Sequence, residues 1–155
     1  MSDRELSGGD QPSPGNAGGG KTGTRETVTR QTGPDPYQPC GAFTEEERTA
    51  GGLVEKVATL LLTNRRCPFR CLMCDLSEHT TSYTLPEGAI PAQIRNGLNV
   101  LPETRHLKLY NSGSFFDPGA IPPADYGEIA GLASRFDTLL VESHSAFVGD
   151  RTLRF

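Results

Sequence analysis

Three cysteines, Cys67, Cys71 and Cys74, lie within eight residues of one another in a chain of 155 residues. The spacing Cys-x3-Cys-x2-Cys sits in a segment that Pro68 breaks, so the three thiols belong to a loop. A cubane iron–sulfur cluster needs thiolates that converge on one small object from several directions, which a short loop supplies and an extended strand does not. Three local thiolates leave one iron of such a cluster without a protein ligand, open to a small chelating molecule. Zinc is the competing occupant. Cys71-x2-Cys74-x4-His79 copies the opening of a zinc knuckle, but the position of its last cysteine holds Thr84. Cys67 would then complete a set of three cysteines and one histidine. A buried structural role for the cysteines is at odds with Pro68, Arg70 and Asp75, which describe a loop. Cys40 stands apart and reads as an incidental thiol.

The elements around the cysteines form a regular series. The continuous apolar run Val57–Thr63 has the form of a strand buried on both faces and leads straight into the cysteine loop. Ile90, Ile94 and Leu98 recur every four residues and predict a helix from near Pro86. A second strand is expected at His106–Tyr110, followed by the loop Asn111-Ser112-Gly113-Ser114. Pro122 and Pro123 open a further helix with Tyr126, Ile129, Ala133 and Phe136 on one face, and a third strand at Thr138–Val141 ends in Glu142-Ser143-His144. This alternation predicts an α/β fold with a parallel sheet. Each polar, glycine-rich or cysteine-rich segment follows a strand, and in parallel α/β architectures that edge carries the site. His106, Tyr110 and Phe116 read as structural residues, and His144 as a candidate ligand contact.

Residues 1–36 hold eight of the 18 glycines, four prolines and few large apolar side chains, and are expected to form a disordered leader. Residues 37–52 read as a transitional leader, in which Thr44 and Glu47 have the form of a capping box and predict a short helix. Residues 53–155 then form the core domain. The net charge of −4 gives no electrostatic case for nucleic acid or a membrane surface, and Arg65 and Arg66 are too few for a basic patch. The longest apolar run is a third of a bilayer span, and the amino terminus lacks a secretory pattern. A cytoplasmic protein is expected, where clustered cysteines serve as metal ligands or redox groups rather than disulfides.

The stretch Thr63–Leu76, together with Leu109-Tyr110-Asn111-Ser112-Gly113-Ser114-Phe115-Phe116-Asp117-Pro118 and Val141-Glu142-Ser143-His144, resembles the radical S-adenosylmethionine (SAM) superfamily. Within it the similarity is to the branch of the archaeosine-forming radical SAM protein and the radical SAM subunit of Elongator, over roughly residues 53–148. Met73 departs from the aromatic residue often found before the last cysteine. The resemblance implies a partial (βα)6 barrel and a [4Fe-4S] cluster on Cys67, Cys71 and Cys74. It also implies an enzyme that reductively cleaves SAM to a 5′-deoxyadenosyl radical. By the same resemblance, Asn111, Ser112, Gly113 and Ser114 contact SAM. Glu142 either bonds a ribose hydroxyl or the SAM amine, or ends its strand in solvent. The branch further implies an electron donor of flavodoxin or ferredoxin type and tRNA as substrate. Only three strands of the barrel are visible, so the chain reads as its front half, with an open apolar edge on the third strand, and is expected to be poorly soluble and inactive alone.

Overall fold

Alternate apolar side chains on two neighbouring strands, Ala58, Leu60 and Leu62 on one and Leu107 and Leu109 on the other, point to the same side and build the core. The computed structural model describes residues 33–69, 71–74 and 76–155. In chain order these form β1 (Gly41–Arg48), β2 (Val54–Leu62), α1 (Ala89–Asn99), β3 (His106–Asn111), α2 (Tyr126–Ala133), β4 (Thr138–Val141) and α3 (Asp150–Arg154). The four strands make one sheet in the order β1-β2-β3-β4. β1 is antiparallel to β2, whereas β2, β3 and β4 run parallel. The expected α/β class and the parallel trio are present, within a mixed sheet.

α1 and α2 turn apolar side chains into the core beside the sheet, whereas no residue of α3 is buried. Ile90 and Ile94 of α1 and Ile129 of α2 are fully buried, with Ile121 from the connection to α2. Phe115, Phe116, Tyr126 and Phe155 pack ring against ring, with neighbouring centroids such as Phe115 and Phe116 5.2 Å apart. The Tyr126 hydroxyl donates to the Phe115 carbonyl at 2.8 Å, and burial pushes its phenol up to about 12.

The short helix expected at Thr44–Glu47 does not form. These residues lie in β1, where Glu45 faces Val57 and Glu47 faces Glu55 across the ladder. The reason is tertiary. Strand geometry puts Glu45 and Glu47 on one face, where Lys108 of β3 makes ion pairs with both and the Thr59 hydroxyl donates to Glu45 at 2.6 Å. A helix would scatter these carboxylates, so long-range pairing overrides the local capping signal. The sheet therefore takes in part of the segment read as a transitional leader.

Of the leader read as disordered, residues 1–32 lie outside the described residues. Its last part is held: the Pro36 carbonyl accepts from Gln93 Nε2 at 2.7 Å. His106, read as structural, places Nε2 2.8 Å from Glu55. β4 pairs with β3 alone among the described residues, and Leu140 on it is exposed.

Candidate functional site

Two buried amides pin the end of β2 where the cysteine loop begins. Gln93 of α1 accepts from the Thr63 N–H and donates to the Thr63 carbonyl, each at 2.8 Å. Asn64 does the same to Ser112: its Oδ1 accepts the Ser112 N–H at 2.9 Å and its Nδ2 donates to the Ser112 carbonyl at 2.8 Å. The loop after β3 is thereby fixed against the root of the cysteine loop. The returning segment adds a second anchor, since Thr81 N–H donates to the Asn64 carbonyl and Arg66 N–H to the Thr81 carbonyl, both at 2.9 Å.

From this root the chain reaches Cys67, whose N–H donates to the Ser112 hydroxyl at 3.4 Å. Gly113 has a φ of +88°, and a Cβ there would lie 3.3 Å from both Cβ and Sγ of Cys67. Only glycine meets both conditions without strain, a left-handed backbone and a sulfur atom at its surface. Cys67 is half-buried by this contact, whereas Cys71 and Cys74 are exposed, and all three thiols are free. The Cys74 N–H donates to the Cys71 carbonyl at 3.2 Å, closing a turn between them.

Phe69, between the first two cysteines, stacks on His144 with ring centroids 5.0 Å apart and planes 19° from parallel. His144 Nδ1 accepts from the Ala146 N–H at 3.1 Å, and the backbone N–H of His144 donates to the Ser114 hydroxyl at 2.7 Å. The Phe115 N–H donates to the Glu142 carbonyl at 2.9 Å. The loops after β2, β3 and β4 are thus tied to one another at the carboxyl edge of the parallel strands.

Cys67, Cys71 and Cys74 line a single cavity of about 1170 Å³ together with Arg65, Arg66 and Ser112. Ser112 and Asn111 also line a second cavity of about 310 Å³. Gly113, Ser114 and Glu142 line neither: Gly113 backs Cys67, Ser114 accepts from His144, and the exposed Glu142 contributes its backbone to the joint between loops. His79 and Cys40 line the second cavity and not the first, and Tyr110, read as structural, lines it too. Burial raises the Cys40 thiol above its ordinary value.

Three free thiols that line one cavity are a donor set of the soft kind a thiolate-held iron–sulfur cluster requires, but their side chains do not converge on one point. The side chains have the placement of an open loop. Among the described residues, no three His, Cys, Asp or Glu side chains are gathered closely enough to hold a metal ion.

Sequence reading did not single out Asn64 or the Phe69–His144 stack. The signal for Asn64 was available: a polar residue that ends an apolar strand directly before a cysteine loop must satisfy its amide within the fold. No family model matches the chain, no curated protein matches it, and no solved structure matches it. Among the described residues no helix is long and apolar enough to cross a membrane.

Proposed function

We propose that the chain is a radical SAM enzyme. In this reading β2, β3 and β4 are the opening strands of a partial (βα)6 barrel. One observation carries it: the three cysteines of a Cys-x3-Cys-x2-Cys loop open onto one cavity at the carboxyl edge of parallel strands, with the Asn-Ser-Gly-Ser loop of the next strand against the first of them.

Cys67, Cys71 and Cys74 would hold a [4Fe-4S] cluster, leaving one iron for the amine and carboxylate of SAM. A cluster held there would supply an electron, drawn from an external donor, for reductive cleavage of SAM to methionine and a 5′-deoxyadenosyl radical. The chain's own contribution is position. Asn64 fixes Ser112, Gly113 lets the backbone reach Cys67, and Ser112 is the residue of its loop on the cysteine cavity, whereas Asn111, Gly113, Ser114 and Glu142 lie outside that cavity's lining and are SAM contacts by the family resemblance alone. Arg65 and Arg66, on the wall of the same cavity, provide positive charge for a carboxylate. A flavodoxin- or ferredoxin-like protein would supply the electron in the cytoplasm, and a tRNA base is the proposed substrate.

Anaerobic reconstitution with iron and sulfide tests the ligand set. Cys71→Ala should lose the cluster and Cys40→Ala should keep it. A colourless protein holding one tight zinc through the same cysteines would overturn the reading in favour of a zinc-stabilised binding module.

A further inference from the structure

The amino terminus of α1 is capped by a residue from outside the helix. α1 has no side-chain cap of its own and no acidic residue in its first turn. The Gly88 N–H at its start instead donates to Asp125 Oδ1 at 2.8 Å. Asp125 stands directly before α2, so one carboxylate joins the starts of both helices. It is only 3% exposed, and its Oδ2 has no hydrogen-bond partner among the described residues. Asp125 lines neither cavity, and no ion pair reaches it among the described residues.

A buried carboxylate with one oxygen free is costly in its charged form and much less so as the neutral acid. The free Oδ2 is where the proton goes, because Oδ1 then keeps the Gly88 N–H. The charged neighbours favour the neutral form too. Glu87 precedes α1, Glu128 lies in the first turn of α2, and the Arg95 guanidinium of α1 is engaged by Glu128 rather than by Asp125. Burial pushes the Asp125 carboxyl above its ordinary value. The N–H groups of Gly88 and Ile90 pull the other way, and the charges of Glu128 and Glu87 add to the rise.

We propose that Asp125 is a proton-operated latch between α1 and α2: Oδ2 takes up a proton in mild acid while Oδ1 keeps its hold on the start of α1, and the joint loosens as the group ionises. Opening the joint lets water reach the carboxylate, so ionisation favours the open state. With the folded value above the unfolded one of about 3.9, the contribution of Asp125 is complete below about 3.9 and disappears as pH rises through the folded value. This is the opposite course to that of Glu45. α1 also carries Gln93, one turn beyond Ile90, so the latch steadies the helix that pins the root of the cysteine loop. It needs no cluster.

The test follows the Asp125 carboxyl carbon of the full chain by 13C NMR from acid to neutral pH, assigned through its own backbone. It should titrate at higher pH than the other aspartates. The Gly88 amide, corrected for the intrinsic pH dependence of hydrogen exchange, should be more protected in mild acid than at neutral pH. Asp125→Asn keeps the acceptor and cannot ionise, so that dependence should vanish. The unfolding constant of wild type relative to this variant should rise with pH, about tenfold for each unit by which the folded and unfolded titrations differ. An Asp125 carboxyl that titrates with the other aspartates or below them, or Gly88 protection that follows the same course in both proteins, would overturn the proposal. The wild-type titration decides it even where the variant does not fold.

Discussion

The side chain of Asn64 grips the backbone of Ser112 at both of its hydrogen-bonding groups, at 2.9 and 2.8 Å. Asn64 is fully buried and Ser112 nearly so, so neither Ser112 group has water to fall back on. Asn64→Ala should destabilise the fold by about 1–3 kcal/mol, the penalty for orphaning buried polar groups. Asn64→Asp, which sets a buried carboxylate against the Ser112 carbonyl in place of the lost donor, should cost at least as much as Asn64→Ala. Urea unfolding of the three proteins checks the order.

Gly113 and Gly52 form a natural pair of controls. Both have positive φ, +88° and +81°, but a Cβ at Gly52 meets nothing within 4 Å whereas one at Gly113 meets Cys67 at 3.3 Å. Gly52→Ala should incur backbone strain alone, about 1–2 kcal/mol. Gly113→Ala should cost more and also displace Cys67, lowering iron retention after reconstitution. Equal losses in stability with unchanged iron content for Gly113→Ala would show that the close approach to Cys67 is unimportant.

The ionic group on the far face of the sheet predicts a pH dependence at both ends. The Thr59 hydroxyl, then the charge of Lys108, hold the Glu45 carboxyl below its ordinary value. A carboxyl lowered on folding contributes stability above its unfolded pKa of about 4.3, and that contribution disappears as pH falls through the lower folded value. Burial opposes the charge on Lys108, but its contacts with Glu47, Tyr110 and Glu45 outweigh this and raise it. Its contribution is therefore complete below the unfolded pKa near 10.4 and is lost as pH rises through the folded value. Thr59→Val should shrink the stability lost on acidification, with the difference from wild type largest near neutral pH and smallest in strong acid. Denaturant midpoints measured across the acid range decide it.

The stack of Phe69 on His144 joins the cysteine loop to the loop after β4. An aromatic pair of this kind contributes roughly 0.5–1.5 kcal/mol beyond area burial. His144→Ala should speed labelling of the half-buried Cys67 by a thiol reagent and leave the exposed Cys71 and Cys74 unaffected. Uniform acceleration at all three would point to general loosening instead.

The parallel trio was legible because its strands are short apolar runs at Val57–Leu62, His106–Tyr110 and Thr138–Val141, separated by helices with Ile90 and Ile94 or Ile129 and Ala133 on one face. β1 was not, because Glu45-Glu46-Glu47 behind Thr44 makes a good local helix start, and only Thr59 and Lys108, remote in sequence, reveal the strand. At the site, the cysteine spacing and the Asn-Ser-Gly-Ser loop were visible as types and positions. The contact of Gly113 with Cys67 and the assignment of His79 to the second cavity were not, since they depend on how loops from different strands meet.

The central claim is that this cysteine loop holds a cluster with one iron open to SAM. Its most direct test is electron paramagnetic resonance of the anaerobically reconstituted, dithionite-reduced chain with and without SAM, alongside iron counting. Four irons per chain and a reduced-cluster signal that changes when SAM is added are the predicted result. A full cluster whose signal is indifferent to SAM, or a chain that takes up no iron, would contradict it.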